Sequence, residues 1–216
     1  MRKPSRQIGD RVMKLLTTFI LLTICLTAIG QTSPTRKWVD TEVKYTDSGG
    51  KVVMIHNSFP KAGGDADEKC RYTDSSGKKY RYVIFWTRVI NETATPLELT
   101  INFPAILPSP YSHIKLFVPS DTMTSDKNSL YNYGITGLKS YLETDFNKTM
   151  LKRTINPKEE SLFYIVLLSP LYSVGGTVRT GFVLKEHQLF YRISIRPNFD
   201  TALIPCGQIA FKKSRR

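Results

Sequence analysis

The chain has 216 residues, and its 31 lysine and arginine residues outnumber its 18 aspartate and glutamate residues, which gives a formal net charge of +13 at pH 7. This length is enough to bury a real hydrophobic core, and it excludes a small domain that depends on metals for stability. The charge indicates affinity for anionic surfaces, with solubility alone as the alternative explanation.

The first thirty residues have the pattern of a secretory signal peptide. Basic residues precede an apolar run from Leu15 to Ile29, and the small residues Ala28 and Gly30 close the segment. A membrane-spanning helix needs about 18 or more apolar residues, so the run is too short to be one. Small residues after an apolar run are typical of a cleavage site. Residues 1–30 are therefore predicted to direct export to the periplasm or the extracellular space.

The basic character belongs to the mature chain as well. Residues 1–30 contain five basic residues and one acidic residue, so a net charge of +9 remains without them. Outside the cytoplasm, this charge favours anionic polysaccharide, lipopolysaccharide or an envelope protein as partner, and no nucleic acid is expected there. No membrane-spanning segment is predicted in the mature chain.

Two cysteines remain after the signal peptide, Cys70 and Cys206. In an oxidising compartment, two cysteines are most simply a disulfide. The bond would close a loop of 136 residues, and it would stabilise the fold by up to about 5 kcal/mol in the chain-entropy description. The alternative is a pair of free thiols.

The mature sequence is predicted to fold as short strands separated by polar turns. Two similar turns are visible, Asp47–Gly50 and Asp74–Gly77, and each indicates a hairpin. The remaining predicted strands are Tyr80–Ile90, Leu97–Phe103, Ile114–Val118, Leu151–Ile155, Leu162–Leu168, Val178–Leu184, Leu189–Ile195 and Gly207–Phe211.

The apolar patterns of these strands differ. The middle of Tyr80–Ile90 and the whole of Leu162–Leu168 are apolar at consecutive positions, which indicates strands covered on both faces. Leu97–Phe103 instead alternates apolar with polar residues, which indicates one buried and one wet face.

One helix is predicted around Thr136–Phe146, with Thr136 as N-cap, either capping the sheets or lying across the opening between them. Together, the elements predict a mainly β fold, an immunoglobulin-like β-sandwich with one short helix, and a β-barrel is the alternative. The predicted organisation is a signal peptide at 1–30, one sandwich domain at 31–211 and a basic tail at 212–216.

No catalytic pattern is present in the sequence. The histidines His56, His113 and His187 are isolated, and there is no G-x-S-x-G nucleophile elbow and no phosphate-binding glycine loop. We therefore predict no catalytic residues, no metal site and no cofactor.

The strongest binding prediction is a basic face on two neighbouring strands. If Phe182 and Leu184 point inward, the alternating residues of the same strand point outward, and the next strand follows the same rule. The outward residues are Arg179, Lys185, Phe190, Arg192 and Arg196. Cations beside an exposed aromatic ring could hold an anionic sugar by charge and stacking. The alternative is an ordinary solvated face, where arginine and lysine discourage edge pairing.

Several short segments together give the chain a family resemblance. They are Asp121–Thr124, Asn132–Gly134, Leu151–Glu159, Val178–Gly181 and Pro205–Gly207. In these segments the chain resembles small exported proteins of Gram-negative bacteria that have no assigned activity. The resemblance implies an exported protein of the bacterial envelope, and it implies no site residue.

Three classes of function follow from the sequence. The first is a non-enzymatic binding or structural protein of the envelope or extracellular space. The second is a hydrolase of an envelope polymer with a site built from loops. The third is an assembly partner that pairs a free strand edge with another protein.

Overall fold

The computed structural model describes residues 37–212, except 48, 63–67, 145–148, 172–175 and 197–198. The predicted signal peptide at 1–30 lies outside the described residues, as do positions 213–216 of the predicted basic tail. Lys212, the first residue of that tail, is described, and its Nζ lies 3.1 Å from Glu98 Oε1.

Two antiparallel sheets make up the described part of the chain. Sheet A has the strand order β1-β2-β4-β8-β6, with β3 also paired to β4, and sheet B has the order β7-β5-β11-β10-β9. The strands of sheet A are β1 (Val39–Thr46), β2 (Val52–Ser58), β3 (Arg71–Thr73), β4 (Lys79–Asn91), β6 (Lys115–Phe117) and β8 (Glu160–Pro170). The strands of sheet B are β5 (Leu97–Asn102), β7 (Met150–Ile155), β9 (Thr177–Lys185), β10 (Gln188–Arg196) and β11 (Phe199–Phe211). The sheets pack face to face, which confirms the predicted β-sandwich.

The two similar turns form in the same way. In each turn, the aspartate N–H donates to the carbonyl of the lysine four residues later, Lys51 or Lys78. Asp47 Oδ1 also accepts bonds from the backbone N–H groups of Gly49 and Lys51, and Asp74 Oδ1 accepts those of Ser76 and Lys78. An aspartate that binds the backbone ahead of it stabilises a tight turn. Both predicted hairpins are therefore present.

The sandwich interior is built from alternate residues of both sheets. Leu97, Leu99, Ile101 and Phe103 are all buried in it, while the residues between them face outward. Phe103, Phe182 and Tyr191 meet at its centre, with ring centroids 4.9 to 6.0 Å apart. Contacts between aromatic rings at these distances add to the stabilisation from burial itself.

A second apolar cluster lies on the outer face of sheet A. The outward side chains of β4 and β8 are buried there under the segment that contains the 3-10 helices Ser125–Ser129 and Tyr131–Gly134 and the helix α1 (Leu138–Thr144). The fully buried members include Ile84, Trp86, Tyr164, Val166 and Leu168. The consecutive apolar residues of β4 and β8 are thus covered on both faces, as predicted.

The start of the predicted helix is shifted. α1 begins at Leu138, and the carbonyl of Gly137 accepts the N–H of Tyr141, so Gly137 takes the N-cap position and the prediction of Thr136 is wrong. Thr136 lies before the helix, and its backbone N–H donates to Asp121 Oδ2.

The last strand is longer than predicted. β11 begins at Phe199 and includes Pro205, where the register with β10 shifts between Leu189 and Phe190. A proline cannot donate to the ladder, and a bulge is one of the few places in a strand that accepts it. The predicted strand begins at Gly207, after Pro205, whereas Pro205 lies inside the observed strand.

The predicted Cys70–Cys206 disulfide is not formed in this structure, because the two cysteines lie in different layers. Cys70 lies just before β3, with its Sγ 3.2 Å from Tyr131 Oη in the cover of sheet A. Cys206 is buried in the sandwich interior, where its Sγ lies 3.6 Å from the carbonyl oxygen of Leu189. Burial raises the pKa of the Cys206 thiol to about 12.

Candidate functional site

The five residues of the predicted basic face all lie on the outer face of sheet B. β9 and β10 pair so that Gly181 is opposite Arg192 and Val183 is opposite Phe190. The inward neighbours Phe182 and Tyr191 are buried in the interior, so the residues between them point away from it. The alternation that predicted this face is therefore present on both strands.

The three arginines line one groove, which we call the basic groove. Its volume is about 400 Å³, and its lining is polar or charged throughout. The lining residues are Asp40, Thr41, Thr177, Arg179, Arg192, Ser194, Arg196 and Thr201. With three guanidinium groups and one carboxylate, the groove has a formal charge of +2, and its hydroxyl groups can bind a sugar or an anion.

The arginines of the basic groove differ in how they are held. Arg179 Nε lies 3.9 Å from Asp40 Oδ1, and its guanidinium carbon lies 4.9 Å from the centroid of the Phe59 ring. Among the described residues, neither Arg192 nor Arg196 forms an ion pair. Arg179 is thus held in place by a carboxylate and an aromatic ring.

Lys185 and Phe190 form a separate pair on the same face. Lys185 Nζ lies 5.4 Å from the centroid of the Phe190 ring, in the range of a cation–π contact. Across the sheet, Phe190 lies between Val183 of β9 and Pro205 of β11, both uncharged. We call Lys185, Val183, Phe190 and Pro205 the Phe190 platform. The structure therefore divides the predicted face into an arginine-lined end and an aromatic end.

A side-chain amide closes the edge of sheet B beside the groove. Asn57 of β2 accepts the Phe182 N–H at 2.9 Å and donates to the Phe182 carbonyl at 3.2 Å. The same amide donates to Thr41 Oγ1 and accepts from Thr87 Oγ1. Asn57 thus supplies the two bonds that a neighbouring strand would otherwise make with Phe182.

The side chain of Tyr45 engages another backbone group on the same edge of β9. The Leu184 N–H donates to Tyr45 Oη at 2.5 Å. Burial raises the pKa of Tyr45, while the bond from Leu184 and the nearby Arg192 lower it in part. β1 and β9 therefore run side by side, with Asp40 near Arg179 at one end and Tyr45 at Leu184 at the other.

Gly181 is required by this closure. A Cβ atom at position 181 would lie 2.7 Å from both Cγ and Nδ2 of Asn57, closer than two non-bonded heavy atoms approach. Any other residue at 181 would displace the amide that closes the sheet. The glycine therefore has a packing role opposite Arg192, inside the basic face.

Sequence reasoning missed the contribution of β1 and β2 to this site. Asp40, Thr41 and Asn57 are more than 100 positions away from β9 in the chain, and no local pattern points to their contact. A weak signal was present at Gly181, where a glycine interrupts a strand and indicates a close approach of other groups.

A second cavity of about 490 Å³ lies at the other end of the β1–β9 contact. Its floor is apolar, and its rim carries Asp47, Lys51, Glu186 and His187. Asp47 Oδ1 is engaged by the turn N–H groups, and Lys51 Nζ lies 4.3 Å from the centroid of the Phe211 ring. The remaining lining residues are Tyr45, Thr46, Val53, Leu184, Ile209 and Phe211.

His56 lies on the outer face of sheet A, next to Glu42. Its Nε2 is 3.6 Å from Glu42 Oε2, and burial lowers the pKa of the imidazole against the opposing effect of that carboxylate. Arg88, on the neighbouring strand, is bonded to Glu160. These groups form a row across four strands of sheet A rather than a cleft around a substrate.

Neither a metal cluster nor a membrane helix is found in the part of the chain that the structure describes. No group of three or more His, Cys, Asp or Glu residues there could hold a metal ion. No helix of those residues is long and apolar enough to cross a membrane.

Comparison of the chain with protein-family models, with curated proteins and with solved structures finds no match in any of the three.

Proposed function

We propose that the protein is an exported, non-enzymatic binding protein of the bacterial envelope or extracellular space, and that its basic groove binds an anionic glycan. The observation that carries the proposal is the presence of Arg192 and Arg196 in one groove, without an ion pair among the described residues. Two solvent-accessible guanidinium groups that line one groove, with no carboxylate partner among the described residues, make a positive potential that attracts an anion there.

The chemistry of the groove suits a charged sugar. A guanidinium group binds a carboxylate, sulfate or phosphate through two parallel hydrogen bonds. The hydroxyl groups of Thr177, Ser194 and Thr201 can form hydrogen bonds with sugar hydroxyls. A mixture of fixed cations and hydroxyl groups is a better match for an anionic glycan than for a bare ion.

The binding test compares two double variants of equal charge. Arg192→Ser with Arg196→Ser removes two cations from the groove, and Lys44→Ser with Lys139→Ser removes two from exposed positions elsewhere. On immobilised dextran sulfate, wild type and the lysine control should elute at similar salt concentrations. The arginine variant should elute much earlier, because fewer bound counterions are displaced. Equal elution of all three proteins would rule out the groove as the site.

Competition distinguishes the sources of the anion. Soluble polyuronate carries carboxylates, and lipopolysaccharide carries phosphates, so each is added separately to the bound protein. Release by the polyuronate alone supports a polysaccharide ligand, and release by lipopolysaccharide alone supports its phosphate groups. Release by neither, with elution by salt only, would contradict a glycan ligand.

The export part of the proposal rests on the signal-peptide pattern of residues 1–30. A fusion of the full chain to a reporter that is active only outside the cytoplasm should be active. The same fusion without residues 1–30 should be inactive, because the protein then stays in the cytoplasm. Activity of both fusions, or of neither, would contradict this part of the proposal.

The two alternative classes are less well supported. Strand pairing needs an open edge, yet Asn57 and Tyr45 occupy backbone groups of β9, which is one edge of sheet B. A hydrolase would need its acid and base in the second cavity, where Asp47 is already engaged in the turn.

A further inference from the structure

We infer that the ligand is a linear polyanion that lies along β10 and occupies the basic groove and the Phe190 platform together. The inference rests on the proposed function and adds the shape of the ligand to it. It follows from the order of side chains on the outer face of β10, where Phe190, Arg192, Ser194 and Arg196 follow one another in a row along the strand.

The length of this row decides the size of the ligand. Successive residues on one face of a strand are about 7 Å apart, so Phe190 and Arg196 are about 20 Å apart along the strand. One sulfate, one phosphate or one monosaccharide cannot reach both ends. A chain of several sugars that repeats its charge can do so.

The two ends of the row offer different contacts. At the groove end, Arg179 lies beside Ser194, so three guanidinium groups converge on a short stretch of ligand. At the platform end, Lys185 Nζ lies 5.4 Å from the Phe190 ring centroid. An aromatic ring beside an ammonium group suits the apolar face of a sugar that carries an anion at its edge. The platform thus has the chemistry for another unit of the same polymer.

The residues beside the basic groove also limit the direction in which a bound ligand can extend. On one side of the groove, Asp40 and Thr41 of β1 form a wall, because β1 runs beside β9. Asp40 is a carboxylate and repels an anion that crosses this side. The open direction is along β10 towards Phe190, where the neighbouring Val183 and Pro205 are uncharged.

The test measures affinity against ligand length. Polyuronate oligomers from dimer to decamer are titrated into wild type and into a variant with Lys185→Ser and Phe190→Leu. Wild-type affinity should rise with length until the oligomer reaches the platform, and then level off. The variant should bind the dimer as wild type does, but it should bind the decamer about fivefold more weakly, from the loss of an aromatic and a charge contact.

The control variant changes an equivalent pair on the opposite side of the molecule. Tyr131→Leu with Lys69→Ser removes an exposed aromatic ring and the lysine whose Nζ lies 5.8 Å from the centroid of that ring. It should bind every oligomer as wild type does. If it weakens decamer binding as much as the platform variant, the effect is general charge and the inference is wrong.

A direct measurement covers the case in which the platform variant is unstable. In wild type, the decamer should shift the backbone amide resonances of Phe190 and Lys185, whereas the dimer should shift only those of the groove. Shifts confined to the groove at every length would overturn the inference and leave the proposed function intact. Absence of binding by wild type at any length would overturn both.

Discussion

The outer faces of the two sheets differ, because the face of sheet A is covered and that of sheet B carries exposed charges. On sheet A, Trp86 and Tyr164 are fully buried under the segment that carries α1. On sheet B, the described residues place no element over Arg192 and Phe190, and the basic groove opens there. One sandwich therefore has a face that serves as a second core and a face that presents its charges.

The difference follows from the cost of burial. Apolar side chains on an outer face gain free energy when another segment covers them. Guanidinium groups without a partner lose their hydration when covered, and this cost is large. The outer residues of β4 and β8 therefore require a cover, and those of β9 and β10 exclude one. The charged residues of β9 and β10 thus leave the outer face of sheet B uncovered among the described residues.

The largest loss of stability is expected for a substitution on the covered outer face of sheet A. Trp86→Ala should lower the free energy of unfolding by about 3–5 kcal/mol, because it leaves a cavity between β4 and the cover. Arg192→Ser, at a solvent-facing position on the other sheet, should change it by less than about 0.5 kcal/mol. Urea denaturation of both variants checks the comparison. Similar losses would show that the two faces contribute equally to stability.

The next effect concerns the contact that joins the two sheets. Asn57→Ala should cost about 2–4 kcal/mol, because the backbone N–H and carbonyl of Phe182 lose their partner. Asn102→Ala, at an exposed position of β5, is the matched control and should cost little. If Asn57→Ala is as stable as the control in urea denaturation, the amide does not hold the edge of β9.

A smaller effect, on ligand affinity, is expected from Asp40 on the exposed face of sheet B. Asp40→Asn removes the carboxylate that opposes the arginines of the groove, so binding of dextran sulfate should strengthen by about two- to fivefold. Titration calorimetry at low salt measures the change, and added salt should reduce it by screening. Weaker binding would mean that Asp40 contacts the ligand through its charge rather than opposing it.

The smallest expected effect is a pH dependence of the free energy of unfolding, caused by His56 on the outer face of sheet A. Burial lowers the pKa of His56, so the unfolded chain takes up this proton first as the pH falls. Stability is therefore lost as the pH drops below about 6.5, the ordinary value for histidine. Glu42 and Glu160 oppose the shift, while Arg88 adds to it. Between about pH 7 and about pH 5, wild type should lose more stability than His56→Gln in urea denaturation. Parallel pH profiles would contradict a neutral, buried His56.

Local patterns predicted much of the fold correctly. The Asp47 and Asp74 turns, the alternation of β5 and the consecutive apolar residues of β4 and β8 each depend on neighbours within a few positions. The errors occur where a distant contact decides the outcome. Pro205 is accepted in β11 by a register shift against β10, and the helix starts at Leu138 because Gly137 takes the cap position.

The sequence by itself determined which strands alternate, where the turns lie and which residues of β9 and β10 point away from the core, because these properties depend on the two-residue period of a strand. Only the tertiary structure decided that Cys70 and Cys206 lie in different layers, that Asn57 closes the edge of sheet B and that Asp40 enters the basic groove. These contacts join residues that are far apart in the chain. Their geometry is set by how the two sheets pack, and no local periodicity encodes it.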